Sequence, residues 1–223
     1  MSGSGAALNR QALLELLVEL DQELVAEGQD ATVFVVGGAA MALAYDDTRS
    51  TRDFDAAFDS SYQNAEGFLR MTSRIGDRHD LDEDWLNDGA KGMMPGDDED
   101  AGLVYEGQAL DVYVASVQYL LAMKLYAARP GRDLDDAVKL WSIAGYTSED
   151  QGVELLGEKY PAQLLLPKHR YVIQDVAARA AEEQRANADP RPRTASDDLT
   201  GYQQQNLFGG PGAGTDGSLG PGL

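Results

Sequence analysis

Three aspartates of this chain have the residue type and spacing that could do chemistry. Asp53 and Asp55 flank one phenylalanine in the run TRDFDAAF, which is predicted to be a strand. Since successive side chains of a strand point to opposite faces, both carboxylates share one face, about 7 Å apart. Like charges at that distance are costly without a counter-charge, and Mg²⁺ is a hard cation that binds carboxylate and phosphate oxygens. With Asp111 on a second predicted strand, ALDVYVA, the pattern predicts a metal site of three carboxylates.

Each of these aspartates also has a purely structural interpretation. Asp53 and Asp55 could line a solvated strand edge, where Arg49 or Arg52 would pair with them. Asp111 could be an ordinary aspartate of an edge strand. The residues by themselves do not decide between these interpretations and the metal site. Only the metal site requires the three carboxylates to lie close together.

A glycine turn precedes the first two aspartates. Residues 31–36, ATVFVV, form a β-branched run without alternation, which predicts a strand covered on both faces. Gly37 and Gly38 follow at once and let the backbone turn sharply and approach a ligand closely. The next residues, 39–45, are predicted to be a helix of small residues. The backbone N–H groups at its start could bind anionic oxygens, although two glycines after a strand are by themselves a weak signal.

Lys124 is the cation that could complete such a site. It interrupts a strongly apolar helix, SVQYLLAMKLYAA, for which Ser116 is the predicted N-cap. A buried lysine needs an anionic partner, and a triphosphate would be one. The alternative is that its stem lies along the apolar surface and its ammonium group reaches solvent.

Hydrophobic periodicity predicts the elements that position these residues. An amphipathic helix over 8–27 ends at Gly28. The acidic stretch 77–100 is predicted to be a loop with one helical turn around Trp85–Leu86, either an active-site lid or a solvated excursion. Segment 187–223, rich in Pro, Gly, Ser and Gln, is predicted to be disordered. The other predictions are a helix over 62–75, paired strands over 102–107 and 109–115, and helices over 116–128, from about 133, over 148–160 and over 167–185.

Composition narrows the classes of protein. The 223 residues carry a formal net charge of −20 and include no cysteine, which excludes disulfides, thiolate metal sites and cysteine nucleophiles. No apolar run approaches roughly 18 residues, and the N-terminus lacks the layout of a signal peptide, so a cytoplasmic protein without a membrane partner is expected. The acidity disfavours general nucleic-acid binding. A local basic face would restore RNA as a candidate partner, and its arginines would be Arg49, Arg52, Arg70, Arg74 and Arg78.

The order of the motifs resembles that of the minimal nucleotidyltransferases. The matching segments are VGGAAMAL, RSTRDFD, LDVYV, YLLAMKLYAAR and RDLDD, over about residues 10–175. Together with WLND at 85–88, they resemble the DUF6036-type branch, close to the AbiEii-like toxins of type IV toxin–antitoxin systems. The resemblance implies a polymerase-β-like α/β (α+β) fold, with a short mixed sheet and helices followed by a C-terminal helical bundle. The implied divisions are a nucleotidyltransferase core over 1–115, a helical subdomain over 116–186 and a disordered tail over 187–223.

The resemblance also assigns the nucleotide contacts. It implies that Gly37 and Gly38 cradle a nucleoside triphosphate and that Lys124 reaches its phosphates. Ala39 stands where the family more often has a hydroxyl residue, which removes one phosphate donor. The further implied contacts are Arg49, Ser50, Arg52 and Asp136, the last of these in an RDxxD segment that begins at Arg132.

The three aspartates match the metal ligands of the family. In nucleotidyl transfer, two Mg²⁺ ions activate the attacking hydroxyl and hold the pyrophosphate leaving group. The resemblance implies that Asp53 shares both ions and that Asp55 and Asp111 flank the ion of the nucleophile. Asp111 is then the candidate that accepts the hydroxyl proton.

Two functions are compatible with these residues. The first is an active enzyme that transfers a nucleoside monophosphate from an NTP to RNA, such as tRNA, or to a protein, as a toxin with a cognate antitoxin. The second is an inactive module of the same fold that binds a protein or regulates a partner. The retained carboxylates favour the enzyme. A calcium loop in 77–100 is disfavoured, since the acidic residues lack the regular spacing of such loops.

Overall fold

Five strands of the chain form one mixed sheet. The computed structural model describes residues 7–58, 65–127 and 132–188. The strands are β1 (Ala31–Val35), β2 (Phe54–Phe58), β3 (Leu86–Asn87), β4 (Gly102–Glu106) and β5 (Leu110–Val114). Their order in the sheet is β3-β2-β1-β5-β4. β1 pairs antiparallel with β2 and parallel with β5, β3 extends β2 in parallel, and β4 pairs antiparallel with β5.

Helices lie before, between and after the strands along the chain. They are α1 (Arg10–Glu27), α2 (Gly37–Ala40), which continues as a π-helical stretch over Met41–Tyr45, α3 (Ala65–Arg78), α4 (Val117–Ala127), α5 (Arg132–Ile143), α6 (Glu149–Lys159) and α7 (Pro167–Ala188). α1 begins after Asn9, whose side chain accepts a hydrogen bond from the N–H of Ala12, and ends at Gly28 with φ +64°. A left-handed residue at this position is cheapest for glycine. The predicted mixed α/β fold is confirmed.

The two faces of the sheet differ in burial. Val33 and Val35 of β1 are buried, whereas Thr32 is exposed and Phe34 is only partly buried. The prediction that this strand is covered on both faces is therefore wrong: the run of apolar residues conceals an alternation that only tertiary packing reveals. The less buried face, called here the Asp55 face, carries Thr32, Phe34, Asp55, Ala57, Asp111 and Tyr113.

A short edge strand stands where the sequence predicted a helical turn. Trp85 is buried, and its indole N–H donates to the carbonyl of Thr72 at 2.9 Å. The backbone N–H of Phe54 donates to the Trp85 carbonyl at 2.6 Å, and the two rings meet edge to face with centroids 6.0 Å apart. These contacts hold the chain extended, so Leu86 and Asn87 pair with β2 as β3. The predicted helical turn around Trp85–Leu86 is wrong.

The end of the acidic stretch 77–100 is fastened to the helices. Asp98 accepts hydrogen bonds from the backbone N–H and the hydroxyl of Ser116 at 2.7 and 2.9 Å. The hydroxyl of Tyr119 donates to the carbonyl of Gly96 at 2.7 Å. Ser116 in turn accepts a bond from the N–H of Tyr119, as expected of the N-cap of α4. This part of the stretch is therefore not a solvated excursion.

Two predictions concern the limits of the fold. Within the parts of the chain that the structure describes, none of α1–α7 combines the length and apolar character that crossing a bilayer requires. The predicted disordered segment 187–223 lies outside the described residues, except that residues 187 and 188 belong to α7. The division of the chain at residue 115 stays a prediction.

Candidate active site

The carboxylate of Asp55 lies against the glycine turn. Gly37 has φ +65°, and a Cβ added to it would stand 2.5 Å from Oδ2 of Asp55. The Asp55 carbonyl also accepts a hydrogen bond from the N–H of Val36 at 3.0 Å. At Gly38, an added Cβ would meet Oγ1 of Thr51 at 2.6 Å. Both glycines are needed because one side chain of β2 and one of the segment before it pack directly on the turn.

Asp53 stands one residue before β2. Its side chain is exposed, whereas that of Asp55 is half-buried. The backbone around it is fixed by Thr51, whose hydroxyl donates to the carbonyl of Asp53 at 3.0 Å and accepts a hydrogen bond from the N–H of Asp53 at 3.3 Å. The structure thus places the carboxylate of Asp55 on the glycine turn and joins the backbone of Asp53 to that turn through Thr51.

The register of β5 separates Asp111 from this turn. Asp111 pairs with Thr32 at the start of β1, whereas Asp55 bonds to Val36 just beyond the end of β1. Four residues of strand correspond to about 13 Å. Asp111 therefore lies on the Asp55 face as predicted, but at the opposite end of the sheet, opposite Glu106 of β4. The structure does not bring the third predicted carboxylate to the other two.

The chemistry of the remaining donors still suits magnesium. Within the residues that the structure describes, no group of three or more His, Cys, Asp or Glu side chains could hold a metal ion. Mg²⁺, however, commonly binds through one or two carboxylates and completes its shell with water and substrate phosphates. Asp55, held against the glycine turn, and the exposed Asp53 supply such a pair. These residues fit the ion that the family implies, provided that a phosphate ligand joins them.

Asn87 is the neighbour of Asp55 that sequence reasoning missed. The register of β2 and β3 pairs the two residues directly, and directly opposed residues of adjacent strands share a face about 5 Å apart. The only signal in the sequence was the WLND run at 85–88. Two residues are too few to show the period of a strand, so the position of Asn87 beside the motif could not be derived.

Lys124 is held by carboxylates of the protein itself. Its Nζ lies 2.5 Å from Oδ1 of Asp133 and 2.9 Å from Oδ2 of Asp136. The side chain is 10% exposed, so the alternative in which it reaches solvent is wrong. Nη2 of Arg49 approaches the same Oδ2 of Asp136 at 2.9 Å. One buried carboxylate thus joins the predicted triphosphate lysine to the loop before β2.

That loop has a second anchor on α5. Nζ of Lys139 lies 2.8 Å from Oδ2 of Asp46, and the hydroxyl and N–H of Thr48 donate to Oδ1 of the same residue. The hydrogen bond from Lys139, followed by that from the Thr48 hydroxyl, lowers the pKa of Asp46 to about 2. Two ion pairs therefore tie the segment that carries the predicted nucleotide contacts to one helix.

The other predicted contacts in this loop differ in exposure. Ser50 is partly buried and Arg52 is exposed. Within the described residues, Nε of Arg49 is buried and makes no hydrogen bond. Arg49 is therefore committed through Nη2 to Asp136, while Arg52 faces solvent.

The proposed basic face is largely neutralised. Arg74 pairs with Glu23 and Glu27 at 3.0 and 2.9 Å. Arg78 pairs with Glu19 and Glu23 at 2.5 and 2.8 Å. Hydrogen bonds from Arg74, ahead of those from Arg78, lower the pKa of Glu23. Because α1 supplies a carboxylate for each of these arginines of α3, they do not form the positive surface that an RNA acceptor would need.

The family follows from a match that spans the glycine turn, the Asp-x-Asp strand and Lys124. A model of the family described as "Nucleotidyltransferase of unknown function (DUF6036)" matches residues 11–141. This chain belongs to that family. The DUF6036 match ends at Trp141 of α5, so Asp133 and Asp136 also fall inside it. The predicted membership of this nucleotidyltransferase family is confirmed.

Two further comparisons add little to the DUF6036 assignment. A crystal structure of an antigenic nucleotidyltransferase-like protein from Paracoccidioides brasiliensis is similar at 14% identity, over 81% of this chain and 92% of its own, with a TM-score of 0.35. Similarity at this level transfers no residue role. No curated protein matches the chain.

Proposed function

We propose that this DUF6036 protein transfers a nucleoside monophosphate from an NTP to an acceptor hydroxyl in a reaction that requires Mg²⁺. The observation that carries the proposal is the carboxylate of Asp55, packed on Gly37 at the start of α2. A glycine turn that opens a helix presents backbone N–H groups to anions. A hard carboxylate beside such a turn brings together the two groups that a metal–triphosphate complex needs.

The aspartates and the glycines would bind different parts of the metal–triphosphate complex. Asp55 and the exposed Asp53 would hold the metal, which supplies charge neutralisation of the phosphates and activation of the hydroxyl. Gly37 and Gly38 allow the backbone to approach the triphosphate without a Cβ in the way. Asp111 is omitted, because a group about 13 Å along the strand direction from the level of Asp55 is too far to accept a proton there.

Lys124 would neutralise the leaving pyrophosphate once the triphosphate has replaced Asp133 as one of its partners. Its ammonium group is balanced by Asp133 and Asp136. A triphosphate carries more negative charge than one carboxylate and could displace Asp133, the more exposed of the two. Asp136 would meanwhile keep Arg49 and Lys124 together, so that both cations approach the phosphates from one side.

The acceptor is better matched to a protein or a small molecule than to RNA. The net charge is −20, and the carboxylates of α1 neutralise Arg74 and Arg78. A tRNA acceptor would meet an acidic surface and would be repelled at low ionic strength. A toxin role with tRNA as target and a cognate antitoxin as partner rests on the resemblance to AbiEii-like proteins alone.

An inactive module is the second candidate. The observation in its favour is that Asp111 and Asp55 lie at opposite ends of the sheet, so the predicted three-carboxylate site is incomplete. A protein of this kind would bind a partner through the same fold and leave NTPs unchanged.

Transfer of label from NTPs separates the two candidates. The protein would be incubated with Mg²⁺ and each of the four α-³²P-labelled NTPs, with no added acceptor, with bulk tRNA and with cell protein depleted of nucleic acid. We expect Mg²⁺-dependent labelling of the protein fraction, and its loss in the Asp55→Ala variant. Labelling of tRNA would overturn the preference for a protein acceptor. Absence of labelling and of pyrophosphate release under all conditions would support the inactive module.

A further inference from the structure

The residue beside Asp55 is an asparagine. β3 pairs with β2 in parallel, with Phe54 opposite Leu86 and Asp55 opposite Asn87. Burial follows the same alternation, since Phe54 and Leu86 are buried while Asp55 and Asn87 are both half-buried. Asn87 therefore lies on the Asp55 face, one strand spacing of about 5 Å from the aspartate.

Two backbone groups fix the orientation of the Asn87 amide. Its Oδ1 accepts a hydrogen bond from the N–H of Gly89 at 2.8 Å, and its Nδ2 donates to the carbonyl of Asp84 at 3.2 Å. A Cβ added to Gly89 would stand 2.8 Å from Oδ1, so glycine lets the turn close on the amide. An amide oxygen has two lone pairs and accepts two bonds. Oδ1 therefore keeps one lone pair beyond its bond to Gly89.

Such an oxygen suits the cation that the proposed function requires. Mg²⁺ and related hard cations bind amide and carboxylate oxygens alike. Asn87 differs from a third aspartate in charge, because Asp53, Asp55 and Asn87 together carry −2 rather than −3. A set with less negative charge binds a free divalent cation more weakly and depends more on the phosphates of the substrate to complete the site.

We propose that Asn87 is the third oxygen donor of the site, in the role that the sequence assigned to Asp111. This inference rests on the proposed function, since it concerns the same metal. Its consequence is that the cation binds tightly only together with a phosphate chain. The neutral amide makes metal binding depend on the nucleotide.

Binding of Mn²⁺ tests this inference without any transfer reaction. Mn²⁺ bound to the full-length protein would be measured by equilibrium dialysis, with Mn²⁺ alone and with Mn²⁺ plus inorganic tripolyphosphate on both sides of the membrane, which avoids a choice of base. The variants are Asn87→Asp, Asn87→Ala, Asp55→Ala and Asp111→Asn. Asp55→Ala reports the background binding of the acidic surface. Asp111→Asn removes a carboxylate from the far end of the same face and is the matched control.

Opposite effects of the two Asn87 variants are expected. Asn87→Asp should tighten Mn²⁺ alone by about tenfold, because it adds a charge to the site, and Asn87→Ala should weaken Mn²⁺ with tripolyphosphate by about tenfold. Asp111→Asn should bind within about twofold of the unmodified protein, as expected of a residue without contact to the ion. The aspartate variant keeps an acceptor for the N–H of Gly89, so its fold is preserved even if that of Asn87→Ala is not. Tighter binding in Asn87→Asp shows that position 87 lies close to the cation. A merely structural role of Asn87 would leave Asn87→Ala, with circular dichroism as the check of folding, binding Mn²⁺ and tripolyphosphate as the unmodified protein does.

The outcomes separate this inference from the proposed function. If the unmodified protein exceeds the Asp55→Ala background but both Asn87 variants bind like it, the assignment of Asn87 is overturned and the Asp55 site stands. If Asp111→Asn weakens binding as much as Asn87→Ala, the assignment is likewise overturned. If the unmodified protein binds no more Mn²⁺ than Asp55→Ala, the metal dependence in the proposed function fails and the role of Asn87 fails with it.

Discussion

The two ends of the Asp55 face each carry a half-buried aspartate, yet their surroundings differ. At one end Asp55 packs on a glycine turn, has Asn87 on the adjacent strand and follows a loop that two ion pairs fasten to α5. At the other end Asp111 pairs with Thr32 and lies opposite Glu106, near the β4–β5 hairpin. The glycine of that hairpin, Gly107, packs on the carboxylate of Asp21 of α1 rather than on Asp111. An aspartate on a strand can contribute to binding of a metal–phosphate complex only with the elements that meet at its end of the sheet.

The largest expected effect is the contrast between the two aspartates. Asp55→Ala should lower nucleotidyl transfer by about 10³-fold or more, since it removes a ligand of the metal that would neutralise the charge developing on the phosphates in the transition state. Asp111→Asn should leave the rate within about twofold. Initial rates of label transfer, with circular dichroism as a check of folding, measure both. Equal loss in the two variants would return Asp111 to the site.

The second contrast concerns two glycines with the same backbone angle. Gly37→Ala should lower transfer by about 10²-fold, because its Cβ would stand 2.5 Å from Oδ2 of Asp55 and displace a reacting group by a fraction of an ångström or more. Gly28→Ala is the matched control, with φ +64° and nothing within 4 Å of the added Cβ. It should show only the backbone cost, about 1–2 kcal/mol, with unchanged transfer. Thermal unfolding and initial rates separate the two costs, and equal activity of both variants would argue against the close packing of Asp55 on the turn.

The third test concerns the carboxylate of Asp136, which joins Arg49 of the loop before β2 to Lys124 of α4. Asp136→Asn leaves Lys124 and Arg49 without their shared charge, and breaking a buried ion pair costs about 3–5 kcal/mol. Urea denaturation should show this loss together with a higher KM for NTP. Asp135→Asn, at the exposed neighbour, should change the free energy of unfolding by about 0.5 kcal/mol or less. If the two variants had the same free energy of unfolding, the ion pairs of Asp136 with Arg49 and Lys124 would not stabilise the fold.

The smallest effect is the pH dependence of the loop anchor. In the folded protein the pKa of Asp46 is held at about 2, below the ordinary 3.8. The stability that this ionised carboxylate contributes is therefore complete above about pH 4 and is lost as the pH falls through about 2. Asp46→Asn should lower the free energy of unfolding by about 1 kcal/mol or less at pH 7, and the difference from the unmodified protein should shrink between pH 4 and pH 2. A constant difference over that range would mean that the Asp46–Lys139 pair does not stabilise the fold.

Local signals in the sequence sufficed for much of the fold. The leucine spacing of α1 and the position of Gly28 predicted a helix and its end, because both depend on neighbouring residues only. The strand, the glycine turn and the Asp-x-Asp motif were predicted for the same reason. Their combined order was enough to indicate the family that the match over residues 11–141 supports.

The rest depended on pairings between distant parts of the chain. The local pattern of β5 does not show whether Asp111 pairs with Thr32 or with a residue near Val36. The register between β5 and β1 decides this, and with it the end of the sheet at which Asp111 lies. The partners of Lys124 follow from how α4 packs on α5, and the neutralisation of Arg74 and Arg78 from how α1 lies beside α3. A strand as short as Leu86–Asn87 has no period to detect.

The contact of Asp98 with Ser116 limits how far the acidic stretch can be shortened. The carboxylate holds Ser116, the N-cap of α4, which is the helix that also presents Lys124. Trimming the acidic stretch to improve crystallisation or expression would release this N-cap residue and let the helix fray from its start. A shortened variant should therefore retain Asp98 and enough chain to reach Ser116; otherwise a loss of activity would be mistaken for evidence that the stretch touches the substrate.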